Sequence, residues 1–339
     1  MPQRRDYIDE LKGFGILLVV AGHFIEQYRM NFSLVSALFF CIYAFHMALF
    51  CTCSGLVARF DSRKLVTQQI WLYLVGQTLM LVFRAAILRE NFAETGGLLA
   101  AWLLPWRHMW YLYALIFWHL TLPVLTWLRE KGGLLGSCLG MAAAITLALA
   151  GGLVEWPFTL VRIVSFYPFY AFGVLFRPQL DALAGYAAAH RGVRRAVIAG
   201  LLTAYGIYFV RVLLAQPILD NSAQLFHDVS YAGGDSPLYR VVFYAVGIAT
   251  TAALAAVAGG WHRFAKLGRR TLAIYLLHLP ILVLFAVPLQ LFEPLRGGPA
   301  VLALLWALLL AGSATFVLNL EPVQKSFNFI GNCWYKRKS

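Results

Sequence analysis

Two long runs, residues 72–82 and 301–311, are apolar at almost every position rather than at every second one. That pattern constrains the fold most. Membrane β-strands alternate lipid-facing and lumen-facing side chains, so continuous runs exclude them. In hydrocarbon every backbone N–H and C=O must be satisfied within its own segment, which leaves transmembrane helices. Composition agrees: only 13% of the 339 residues are charged and 61% are hydrophobic, with a mean hydropathy of +0.71. Soluble domains run near a quarter charged.

Stretches long enough to cross about 30 Å of hydrocarbon at about 1.5 Å per residue number about ten. They are 13–30, 35–57, 66–88, 110–128, 134–153, 158–176, 194–214, 238–259, 271–292 and 299–319. The expected fold class is therefore all-α, a polytopic integral membrane protein, with one transmembrane domain over 1–320 and a short basic tail over 321–339. The run after Gly13 continues too far for a cleavable signal peptide. Stretch 89–109 is apolar in part, interrupted by Pro105 and too short to span. It reads as an interfacial or re-entrant piece anchored by Trp102, Trp106 and Trp110.

The net charge of +13 has two possible origins, a nucleic-acid surface or membrane topology. Position decides between them. With a cytoplasmic N-terminus, the inside segments collect Arg4, Arg5, Lys12, Arg59, Arg63, Lys64, Arg129, Lys131, Arg177 and the clusters 191–195, 263–270 and 325–338. Together these hold 20 of the 28 Lys and Arg, so the basic excess is topogenic and both termini are expected inside. Nucleic acid is not an expected partner. The polar outside loop 215–237 carries Asp220, Asp228 and Asp235. Cys41, Cys51, Cys53, Cys138 and Cys333 have no metal-cage spacing and read as small core residues.

Ionisable residues at membrane depth are costly and hence functional candidates. His23 lies about ten residues into the first span, and His46 a similar distance from the cytoplasmic end of the second, so both are expected roughly 16 Å up on adjacent helices. Neutral imidazole serves as base, acid or nucleophile at neutral pH. His119 reads as packing, and His278 is open between the two roles. With no acidic ligand at comparable depth, a metal site is not expected. On the cytoplasmic rim, Lys12 sits below the first span, and Arg59 and Arg63 share one helical face if the second helix continues. Cations so grouped suit a polyphosphate, although positive-inside charge alone explains them as well. In the outer half, Arg84 and Arg211 read as snorkelling arginines. Glu26 is a candidate there, and Arg162 with the aromatics 166–170 suits a sugar-binding wall.

Residues 7–13, Tyr-Ile-Asp-Glu-Leu-Lys-Gly, continued through Leu18-Val19-Val20-Ala21-Gly22-His23, resemble the opening signature of the acyltransferase-3 family of membrane O-acyltransferases, fucose 4-O-acetylase-like members included. Phe45-His46-Met47 with Ser54-Gly55-Leu56, Trp110-Tyr111-Leu112-Tyr113, and the block from Gly268 to His278 follow in the family's order. The resemblance implies transfer of an acyl group, usually acetyl, from cytoplasmic acetyl-CoA to a glycan or glycolipid hydroxyl outside the bacterial inner membrane, with no metal. It implies His23 as catalytic base with His46 beside it, and Lys12, Arg59 and Arg63 as contacts to the acyl-CoA donor. Lys12, with ten residues between it and His23, stands where the family commonly has arginine. Glu26, Arg162, Trp110 and Tyr111 are the expected carbohydrate-side residues. A transporter or flippase is the rival reading, against which the absence of paired broken repeats counts. An assembly partner in a glycan-export complex is a third. The oligomeric state stays open, a homo-oligomer included.

Overall fold

The computed structural model describes residues 6–153, 159–215 and 237–332. Arg4, Arg5, nearly all of the expected outer loop and the tail from residue 333 lie outside them. Among the described residues the chain is helical, with no strand.

Helix α1 runs Asp6–Ile25, starting upstream of its apolar stretch. Its polar first turns are enclosed by protein: the buried Glu10 carboxylate accepts the backbone N–H groups of Arg263, Phe264 and Ala265 at 3.2, 2.8 and 3.1 Å. The next apolar stretch is two helices, α2 (Ser33–Tyr43) and α3 (His46–Val57). The break has a local cause. The His46 ring places Nδ1 3.0 Å from the Ile42 carbonyl, the acceptor that an unbroken helix offers to the His46 backbone N–H.

Helix α3 stops at Val57, and Ala58 turns extended. Asp61 then caps a new helix, its carboxylate accepting from the N–H groups of Arg63 and Lys64 at 3.0 and 3.1 Å. The helix does not continue from Arg59 to Arg63, so the two do not share a face. Helix α4 (Ser62–Leu88) ends where Arg89 adopts a left-handed φ of 51°. That reversal returns Glu90 to Arg84, whose guanidinium donates to both carboxylate oxygens at 2.8 and 2.5 Å. Arg84 is buried and also faces the rings of Phe92 and Trp106. It is an internal ion pair, not a snorkelling arginine.

Stretch 89–109 folds back along α4 as a short helix, α5 (Gly97–Leu103). Tyr73 Oη donates to the Leu103 carbonyl at 2.7 Å, Gln77 Nε2 to Ala101 at 3.3 Å, and Trp102 Nε1 to Thr78 Oγ1 at 2.9 Å. Trp110 is buried rather than anchored at an interface.

Helices α6 (Trp110–Leu120) and α7 (Leu122–Gly151) follow, and α7 is itself a hairpin. Gly133, at φ 57° and ψ −137°, takes a backbone conformation closed to residues with a Cβ. Residues 128 and 140 of a straight helix are about 18 Å apart. Here a Cβ on Gly140 would lie 3.0 Å from Leu128 Cδ1, so the two arms pack on each other. The expected boundary between 110–128 and 134–153 falls at this turn.

The remaining helices are α8 (Leu160–Leu175), α9 (Arg177–Ala189), α10 (Arg191–Ala215), α11 (Pro237–Ala258), α12 (Ala265–Gly268), α13 (Thr271–Ala286), α14 (Ala300–Leu318) and α15 (Glu321–Asn332). Helix α9 bends 68° away from α8. Six helical segments among the described residues are long and apolar enough to cross a membrane, or seven with the bent α8–α9 pair counted as one. Between lipid-embedded helices there is little hydrophobic drive, so close packing and hydrogen bonds must hold them. Helices α3 and α8 meet backbone to backbone: a Cβ on Gly55 would overlap the Tyr170 carbonyl oxygen, and one on Gly173 the Thr52 carbonyl. Helix α1 lies inside, against α2, α3, α11, α13 and α14.

Candidate functional site

His23 sits in the last turn of α1, and its ring is held on three sides. Its Nδ1 lies 3.3 Å from Glu26 Oε2 and 3.1 Å from Tyr43 Oη, while Tyr43 Oη donates to Glu26 at 3.2 Å. Glu26 follows His23 by three residues, the spacing that puts two side chains on one helical face. A carboxylate beside Nδ1 fixes the proton there and leaves Nε2 as the ring's lone pair. The His278 ring stacks on His23 with centroids 5.4 Å apart.

His278 and His108 were not both legible in advance, and they complete the cluster. His278 Nδ1 donates to the carbonyls of Tyr275 and Ile274 at 2.7 and 3.0 Å. His108 Nε2 donates to Leu276 at 3.2 Å, and its ring meets His278 at 5.1 Å. These bonds assign each ring a tautomer. His278 Nε2 and His108 Nδ1 are left as buried acceptors without a hydrogen-bond partner. Tyr275 Oη, which donates to the His108 carbonyl, joins this cluster to Tyr111 through ring contacts at 5.2 and 5.5 Å.

The two histidines expected side by side are instead linked through Tyr43. The His46 ring packs on Tyr43 at 4.5 Å, and Tyr43 carries the contact to His23. Tyr111 Oη pairs with Ser54 Oγ at 2.5 Å, tying α6 to α3. Trp110 packs on Phe166 at 4.9 Å, and Arg162 lies half-buried one turn before that phenylalanine on α8. Glu26, expected among the carbohydrate contacts, touches His23. His119 accepts the Asp61 N–H on Nε2 at 3.2 Å, so Nδ1 carries the proton and the Gln69 amide, 3.0 Å away, is read with its oxygen toward it. His119 thereby pins the turn after Arg59.

At the other end of α1, a cleft of about 970 Å³ is lined by the cations Lys12, Arg59 and Arg177 and by the carboxylates Asp6, Asp9 and Asp181. Lys12 and Arg59 thus share one cleft, and Arg63 is not among its lining residues. Arg177 donates to the carbonyls of Gly55 and Ala58 at 3.1 and 2.7 Å, which fixes the turn that presents Arg59. Asp181 is engaged by Tyr7 at 2.8 Å, and Asp9 lies 4.0 Å from Arg269. Among the described residues no group of three His, Cys, Asp or Glu side chains is arranged to hold a metal.

A cleft holding Lys12 and Arg59 thus lies at one end of α1, and a carboxylate-oriented histidine near its other end. A family model described as an acyltransferase domain matches residues 5–320. The chain belongs to the acyltransferase-3 family. It is accordingly a multi-pass membrane acyltransferase, with an acyl donor and an acceptor as substrates. No curated protein and no solved structure matches it.

Proposed function

We propose that this membrane acyltransferase moves an acetyl group from cytoplasmic acetyl-CoA to a hydroxyl of an extracytoplasmic glycan or glycolipid, with His23 as the base. The observation that carries the reading is the pairing of His23 Nδ1 with Glu26 at 3.3 Å, with His23 on the same helix that carries Lys12 into the cleft it shares with Arg59.

Spacing supports the donor. His23 follows Lys12 by eleven residues on α1, a rise of about 16 Å. The dozen or so bonds between the pyrophosphate and sulfur of CoA reach about 15 Å at roughly 1.2 Å per bond. Phosphates held at Lys12 and Arg59 therefore deliver a thioester to the depth of His23. The Arg63 side chain is exposed and meets phosphate at the rim rather than in the cleft.

The chemistry follows. The acceptor oxygen attacks the thioester carbonyl as its proton passes to His23 Nε2. The tetrahedral intermediate collapses, the C–S bond breaks, and the same proton neutralises the CoA thiolate. Glu26 stabilises the imidazolium that exists between these steps, and Tyr43 orients Glu26. An acyl-histidine on Nε2 followed by transfer to the hydroxyl uses the same orientation. Arg162, Trp110 and Tyr111 serve the acceptor in this reading, and His46 supports Tyr43. In this reading the ten expected spans all cross, both termini are cytoplasmic, and the chain sits in a bacterial inner membrane.

The test is turnover of acetyl-labelled acetyl-CoA by purified protein with a glycan acceptor. Label in an ester of the acceptor, with equimolar CoA thiol, is expected. Label that crosses a proteoliposome membrane unaltered would make the protein a transporter.

A further inference from the structure

A second cleft, of about 530 Å³, opens beside the first and shares Arg59 and Arg177 with it. Two aromatic side chains line it from different elements. Phe60 is 50% exposed on the turn after α3, and Trp127 is 61% exposed on α7. Phe60 is not loose: one face of its ring stacks on His119 at 5.4 Å, and His119 is itself held by the Asp61 N–H. An interfacial aromatic belt explains single exposed rings. Here two of them share one cleft with cations.

The cations divide by what they already do. Arg177 is committed to the Gly55 and Ala58 carbonyls. Arg129 is committed to the Val174 carbonyl at 3.0 Å and to Glu130 at 2.8 Å, which is the only acidic residue lining the cleft among the described residues. Arg59 and Lys131 have no hydrogen bond or ion pair among the described residues. Planar rings beside uncommitted cations match a base with phosphates, since every base offers a π-face and Arg and Lys meet the anions.

We propose that this cleft binds the adenosine 3′-phosphate 5′-diphosphate end of CoA. The adenine stacks on Trp127 and Phe60, Lys131 meets the 3′-phosphate, and Arg59, at the junction of the two clefts, holds the pyrophosphate. Pantetheine then enters the larger cleft past Lys12. The proposal rests on the acyl-CoA reading of the donor, and its test separates the two.

The probe is adenosine 3′-phosphate 5′-diphosphate itself, titrated onto full-length protein in phosphatidylcholine nanodiscs. Saturable binding is expected. Trp127→Leu and Phe60→Leu, exposed positions that keep an apolar side chain, should each weaken it roughly ten- to a hundredfold. Lys131→Gln should remove the preference for this probe over ADP, and Phe316→Leu, an exposed ring on α14, should change nothing. Absence of saturable binding to the wild type, or unchanged affinity in both aromatic variants, overturns the subsite. Protein that binds the nucleotide yet transfers nothing from acetyl-CoA would instead break the acetyl-CoA reading and leave the subsite standing. Acetyl transfer with an unchanged donor KM in both Trp127→Leu and Phe60→Leu breaks the subsite alone.

Discussion

His23 in the last turn of α1 and Glu26 just past its end face each other at 3.3 Å, with the hydroxyl of Tyr43 within 3.2 Å of both. The carboxylate sets which nitrogen of the ring carries the proton, and so which nitrogen is a base. Glu26→Gln keeps the size of the side chain and removes the charge that stabilises an imidazolium. Acetyl transfer is expected to fall by about 10²–10⁴-fold in kcat with donor KM little changed. Full activity in Glu26→Gln would remove it from the mechanism. Tyr43→Phe deletes the contacts of that hydroxyl to both His23 and Glu26, each worth about 1 kcal/mol, and should cost about five- to thirtyfold.

Lys12 and Arg59 share the larger cleft. Lys12→Gln and Arg59→Gln should each raise KM for acetyl-CoA about tenfold, one phosphate contact being lost, and leave KM for the acceptor alone. Lys12→Arg should retain function. Steady-state kinetics with each substrate varied in turn reads the difference.

The Arg84–Glu90 pair gives a pH prediction. The hydrogen bonds from Arg84 hold the Glu90 carboxyl below the usual carboxylate range, against the opposing effect of partial burial. The ionised form is the one that stabilises the fold. Its contribution is present above a pH of about 4.3, the ordinary glutamate value, and is lost as pH falls below it through the depressed value. Glu90→Gln leaves a buried guanidinium without its anion, at a cost of about 2 kcal/mol after allowance for the partly exposed carboxylate. Thermal unfolding in detergent should show a lower midpoint for the variant at pH 7 and convergence with the wild type under acid conditions.

Gly55 tests the packing of α3 on α8. An added methyl group meets the Tyr170 carbonyl, so Gly55→Ala should destabilise by about 1–3 kcal/mol, seen as a lower melting midpoint. Gly312→Ala, at a position with open space around it, should not.

Much of the architecture was readable because lipid imposes one pattern. Continuous apolar runs mark helices whatever they pack against, and the turn at Gly133 falls between two of them. Local chemistry was missed where a capping residue stood inside a charge run: Asp61 before Ser62 starts a new helix, and that separates Arg59 from Arg63. The Arg84–Glu90 pair depends on a left-handed residue at Arg89 that nothing in its side chain announces. Arg240, fully buried on α11 with Ser165 Oγ at 3.1 Å, carries no mark in the sequence that separates it from the exposed arginines. For the candidate site, the spacing of His23 from Lys12 followed from counting residues along one helix. Its neighbours did not, because Tyr43, His108 and His278 reach it from three other segments of the chain. His46 illustrates the limit: its expected depth placed it beside His23, yet its ring turns back on the Ile42 carbonyl and leaves Tyr43 between them.

The central claim is that His23 Nε2 takes the acceptor proton. The most direct measurement is acetyl transfer from labelled acetyl-CoA to a glycan hydroxyl by purified wild-type and His23→Gln protein, matched for melting midpoint. The expected rate is at least about 10²-fold lower in His23→Gln, with acetyl-CoA still bound. Wild-type turnover in a folded His23→Gln protein would contradict it.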